Sequence, residues 1–178
     1  MHPEFQQFST AISKASTSDG VWKALQNLSH ITPGHILFTV MTVDMTAGLA
    51  RRAFSSHPQA YPVSGTKPIQ HNAWFDIVHG EKRSFVANTI EEIAQVFPDH
   101  ELIASLGCGS VFNLPVVAQG ELVATINMLA GPQHYSPQRV AEAEALLAIP
   151  ALLCWSLAMV FDSTARTSHH APSGKVEG

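Results

Sequence analysis

Apolar positions recur at helical spacing at the start of the chain. Phe5, Phe8 and Ile12 follow Pro3, which suits a first helical turn, and Val21, Leu25 and Leu28 repeat the pattern after a polar break at 16–20. Two short helices are therefore predicted, the second capped from within that break. The pattern then changes period. Residues 35–44 are β-branched and apolar on both faces, which predicts a central strand, and 49–56 alternate more weakly as its exposed partner. Two prolines and a glycine mark 57–67 as an ordered loop with Tyr61 and Val63 to pack. Ile69, Trp74, Ile77 and Val78 predict a helix over 68–79. A short strand at 84–87 precedes a helix over 89–97, capped by Asn88 or Thr89 and stopped by Pro98. The clearest hairpin joins 110–118 to 121–129 through Gln119-Gly120. Ser136-Pro137 then opens a long last helix.

Strands that meander between helices predict an α+β fold with a central antiparallel sheet, in one domain over 1–161. After Phe161 the composition turns to Ser, Thr, His and Gly, and 162–178 read as a disordered tail holding His169 and His170. Residues 145–161 carry no charge and approach the length of a membrane span. Pro150 falls within them, charged residues precede them and no basic cluster follows, so a buried helix is expected rather than a membrane anchor. Hydrophobic residues make up 46% of the chain and charged residues 13%, which excludes a disordered protein. The net charge is −4 and no basic cluster exists, so no nucleic-acid partner is expected. Two cysteines exclude a disulfide scaffold, and with no secretory leader in the first residues the expectation is a cytoplasmic protein.

Residues 106–129, Leu-Gly-Cys-Gly-Ser-Val-Phe-Asn-Leu-Pro-Val-Val-Ala-Gln-Gly-Glu-Leu-Val-Ala-Thr-Ile-Asn-Met-Leu, with Tyr135-Ser136-Pro137 opening the last helix, resemble the C-terminal half of a GAF domain. The strand pair at 35–56 and the Phe85 segment fall where that family has them, and Ala124 stands where many members have Gly. The resemblance implies a sheet of five or six strands, terminal helices on one face and a small-molecule pocket on the other. It also implies a sensor or regulatory role and a helix-mediated homodimer. Since GAF ligands are diverse, the fold does not name this one. Bilin-binding members need a Cys placed to form a thioether, usually followed by His, whereas Gly109 follows Cys108 and Trp155 follows Cys154. Phe97-Pro98-Asp99-His100 is similar to the pocket region of free methionine sulfoxide reductases. Their chemistry needs two neighbouring thiols, and Cys154 lies in a predicted helix far along the chain from Cys108.

The candidate ligand-binding residues are Tyr61, Trp74, Phe85, His100, Cys108, Ser110, Asn113 and Asn127. Trp74, Phe85, His100 and Ser110 are expected to line a cavity between the sheet and the segment 74–107. Tyr61 and Lys67 flank a loop able to close over the ligand, and Lys67 points to an anionic group. Cys108, between two glycines, is a thiol that a substrate could approach, with an ordinary space-filling role as the alternative. Asn113 and Asn127 sit amid apolar strand neighbours, where a buried amide needs partners or a polar guest. A two-residue turn sets Asn113 opposite Ile126 and Asn127 opposite Phe112, so only one asparagine faces the pocket unless a bulge intervenes.

Asp99-His100-Glu101 is the densest polar cluster, yet consecutive residues cannot converge on one metal ion, and no metal site is expected. No motif demands a cofactor. Haem is the one the histidines leave open, with His71, His79 or His100 as axial ligand. The alternatives to a small-molecule sensor are an enzyme acting in the same pocket and a pure dimerisation module. Phe5, Phe8 and Ile12, with Leu146, Leu153, Leu157 and Phe161, exceed what one side of a small sheet can cover. A homodimer through the terminal helices is therefore expected.

Overall fold

In the computed structural model, which describes residues 3–63 and 65–168, local capping sets the first elements. Helix α1 (Pro3–Lys14) leads into α2 (Ser18–Ser29), whose first turn is closed by the Thr17 hydroxyl accepting the Gly20 N–H. Strands β1 (Leu37–Asp44) and β2 (Leu49–Ser55) form a hairpin, and β3 (Thr66–Pro68) adds to the edge of β2. Helix α3 (Ala73–Phe75) runs into a π-helical turn at Asp76–Gly80. Strand β4 (Phe85–Ala87) precedes α4 (Ile90–Ala94) and α5 (His100–Ser105). The second hairpin, β5 (Ser110–Ala118) and β6 (Glu121–Ala130), is followed by α6 (Pro137–Ser168). All neighbours in the six-stranded sheet are antiparallel, in the order β3-β2-β1-β6-β5-β4.

One face of the sheet is dry. Phe38 and Val40 of β1, Phe112 and Leu114 of β5, and Ile126 and Met128 of β6 pack there against Val21, Trp22 and Leu25 of α2. Helix α6 lies against α2 and presents a buried column of Ala143, Leu147, Ala151, Cys154 and Ala158. These side chains are mostly small, so the two helices approach closely. Pro137–Ala165 is long and apolar enough to cross a membrane, and here one side of it serves this core.

The prediction of helices on one face of an α+β sheet agrees with this architecture. Several details are corrected. The helix predicted over 68–79 starts five residues later, at Ala73, and continues through the π-helical turn to Gly80. Pro68 instead ends an edge strand, where its missing N–H is tolerated, and the helix starts only where the Asn72 side chain accepts the Phe75 N–H. The 57–67 loop thus yields a strand in its last residues. The Asp99-His100-Glu101 cluster opens a helix, with Asp99 at the N-cap position of α5. The last helix runs through Pro150 and past Phe161 to Ser168, because Asp162 is bound by the Ser18 hydroxyl at 2.6 Å and by Arg51 at 3.4 Å. The remainder of the predicted tail, with His169 and His170, lies outside the described residues.

Candidate functional site

The other face of the sheet floors a cavity of about 510 Å³, within the range of small-molecule sites. Its roof comes from α3, from Val96 to Asp99, and from Tyr61. The strand registers give the floor cross-strand rows. The innermost, Leu37–Leu129–Val111, is apolar; the next is Thr39–Asn127–Asn113; the third holds Arg52, Met41 and Thr125. A polar stripe therefore crosses an otherwise apolar surface.

The stripe exists because of a bulge. The Gln119-Gly120 turn does have two residues, both with positive φ (53° and 81°), as a type I′ turn requires. The ladder begins in the expected register, Ala118 opposite Glu121 and Val117 opposite Leu122. Val116 then pairs with Ala124, leaving Val123 as an extra residue. From there the register is shifted by one, and Asn113 lies opposite Asn127 rather than Ile126. The expectation that the two asparagines point to opposite faces is thereby corrected. Asn113 Nδ2 donates to Asn127 Oδ1 at 2.8 Å, Trp74 Nε1 donates to Asn113 Oδ1 at 2.9 Å, and Asn127 Nδ2 donates to Thr39 Oγ1 at 3.3 Å. A second bulge in β2, where Val40 pairs with Phe54 but Met41 with Arg52, sends Phe54 into the dry core and Arg52 toward the cavity.

Tyr61 closes one side. Its hydroxyl donates to Asp99 Oδ2 at 2.7 Å, and the Arg52 guanidinium lies over its ring, 4.9 Å from the centroid. Burial, then the bond to Asp99, pushes the Tyr61 pKa up, so the phenol keeps its proton. Burial also lowers the Arg52 pKa from its usual value, against the opposing pull of Tyr61 and Asp99. Arg52 donates to the Pro62 carbonyl at 3.1 Å, but its Nε is buried without a partner, as is Thr125 Oγ1.

Among the sequence-selected residues, Tyr61, Trp74, Asn113 and Asn127 line the cavity, and so does Lys67. The others lie elsewhere. Phe85 lies opposite Asn113 in the sheet, its ring edge-on to Phe97 at 6.0 Å, but it does not line the cavity. The His100 ring, with Nδ1 3.3 Å from the Phe97 carbonyl, is also outside the lining. Ser110 is on the opposite parity of β5 from Asn113, and its hydroxyl donates to the Gly131 carbonyl at 2.7 Å. Cys108 is not an approachable thiol. It is buried with Ile93, Ile103 and Leu129, and burial pushes its pKa up to about 11. Cys154 is buried in the dry core on the other side of the sheet, its thiol pushed up by burial to about 12.

Sequence reasoning missed Thr39, Arg52 and Thr125. Thr39 and Thr125 were legible in principle, being polar residues at alternate positions within strands that are otherwise apolar. Arg52 was not, because its orientation depends on the bulge at Ala53.

A His-ligated haem does not fit this site. His71 and His79 both pack on Phe75, with ring centroids 4.3 and 4.5 Å away, and neither they nor His100 reaches the cavity. Among the described residues no group of three or more His, Cys, Asp and Glu is placed to hold a metal ion.

No family model and no curated protein matches the sequence. Solved structures do match its fold. The GAF domain of a two-component sensor histidine kinase from Bacillus halodurans superposes with a TM-score of 0.59 at 12% identity, covering 86% of this chain and 99% of that one. Residues 122 to 287 of a methyl-accepting chemotaxis protein give 0.63 at 16% identity, covering 88% and 98%. Free methionine-R-sulfoxide reductase from Neisseria meningitidis, solved with its substrate, gives 0.54 at 12% identity, covering 92% and 88%. The chain has a GAF-like fold.

Proposed function

We propose that this protein is a sensory or regulatory GAF-like domain that binds a small metabolite in the cavity on the open face of the sheet. One observation carries the reading: a cavity of about 510 Å³ whose apolar floor is crossed by the Thr39–Asn127–Asn113 stripe. Buried amides are costly in an apolar surface unless something holds them, and here they are held side by side in a space large enough for a guest. The similarity to GAF domains of a sensor kinase and to part of a chemotaxis protein supports a signalling role. An enzyme in the same space has less support. Both thiols are buried and protonated, and they lie on opposite faces of the sheet.

We also infer that the dry-face helices pair with a second copy of the chain. The exposed apolar side chains of α6 support this reading.

The binding reading is tested by mass spectrometry of small molecules released on denaturing the purified protein, together with a thermal-shift screen of metabolites. Ligand-linked stabilisation is the expected result. A screen without any shift, and a protein that releases nothing, would overturn it.

A further inference from the structure

The polar stripe has a direction. An indole N–H can only donate, so the atom of Asn113 that meets Trp74 is its carbonyl oxygen. Asn113 must then turn its amide nitrogen to Asn127. By the same logic Asn127 offers its oxygen to Asn113 and its nitrogen to Thr39. What this chain leaves over is one further N–H on each amide and the proton of the Thr39 hydroxyl, with one lone pair on each of the three oxygens, so the stripe can donate to a guest as well as accept from it. In the next row Thr125 carries a buried hydroxyl without a partner.

Charge decides which kind of guest the stripe meets. Arg52 and Lys67 line the cavity against a single carboxylate, Asp99, which already accepts from Tyr61. Arg52 is fixed by the Pro62 carbonyl and the Tyr61 ring, and it makes no ion pair among the described residues. The remaining surface is apolar: the Leu37–Leu129–Val111 row below, Trp74 and Phe97 above.

Resting on the reading of this cavity as a ligand site, we propose that its ligand is an organic carboxylate with an apolar body. The carboxylate meets Arg52 on the Lys67 side, and the body lies over the Leu37–Leu129–Val111 row beneath Trp74. A guanidinium fork matches a carboxylate in two parallel bonds, where an ammonium ion would be repelled. A phosphate group asks for more donors than one guanidinium supplies and gains nothing from the apolar row.

The test is calorimetric titration of the full chain with 4-phenylbutyrate, 4-phenylbutanamide and 4-phenylbutylamine, which share a shape and differ in charge, and with inorganic phosphate. The carboxylate is expected to bind about tenfold or more tightly than the amide, and the amine and phosphate not at all. Arg52→Gln is expected to abolish that preference, so that the carboxylate and the amide bind with similar affinity. The comparison of the four probes on the unaltered protein stands even if that variant folds poorly. Equal or tighter binding of the amide or amine overturns the charge assignment, as does a preference that survives in a folded Arg52→Gln protein. Binding of phosphate alone overturns the apolar body. If none of the four binds up to ~10 mM, the inference fails. The mass spectrometry of released molecules decides the cavity reading separately.

Discussion

Asn113 is the residue on which the cavity floor depends, since it both accepts from Trp74 and donates to Asn127. Asn113→Ala would leave the buried Asn127 oxygen and the Trp74 N–H without partners. A loss of about 2–3 kcal/mol is expected in urea denaturation, against about 1 kcal/mol for Trp74→Phe, which removes a single bond. Across the sheet, His35 sets a pH dependence. Burial, reinforced by the charges of His30, His57 and Lys23, pushes its pKa down to about 4, although a contact with the Gln26 carbonyl opposes the shift. The ordinary value is about 6.5. Between these two values the unfolded chain binds a proton that the folded one refuses, so stability rises with pH through that window and is lost on acidification. Denaturation at pH 7 and pH 4.5 should differ by about 2 kcal/mol more for the unaltered protein than for His35→Gln.

At the scale of elements, the bulge at Val123 makes a prediction that a simple hairpin would not. With Val123 deleted, Leu122 and Ala124 become neighbours while keeping the faces they already occupy, cavity and dry core. The deletion should fold, keep Asn113 opposite Asn127 and lose no more than about 2 kcal/mol. Deleting Ile126 instead removes a core side chain and turns Thr125 into the dry face. That variant should be far less stable by thermal melting. The same bulge marks the limit of what the sequence could tell. Strong periods were legible, as in α1, α2, β1 and the second hairpin, because burial on a known face dictates them. So was the Gln119-Gly120 turn. Nothing in the residue types around Val123 signals the extra residue, so the facing of Asn127 could not be read. Elements of three to six residues, such as β3 and α5, are too short to show a period. Tertiary contacts decide them, as the Tyr61–Asp99 bond does at the start of α5.

At the scale of the whole molecule, the sheet divides a face that encloses polar groups from a face that excludes them, and α6 covers the second. Its inner column, from Ala143 to Ala158, is fully buried. Its outer side is apolar too. Ile149 is 78% exposed, Leu153 42% and Val160 58%, along one stripe interrupted by Ser156. Leu157, which the sequence placed among the surplus apolar residues, is instead partly packed against the core and makes a poor probe of the outer side. A helix that is apolar on the side away from its own core calls for cover, and the proposed two-fold pairing would supply it by setting each stripe against its own copy. Ile149→Glu with Leu153→Glu should therefore convert a dimer into a folded monomer, because both side chains project from the packed domain and their loss leaves the core intact. Light scattering coupled to size exclusion at micromolar concentration reads the mass, and circular dichroism confirms that the variant is folded. The mass of a single chain for the unaltered protein would refute the pairing. Two chains for the double variant would move the interface off this stripe.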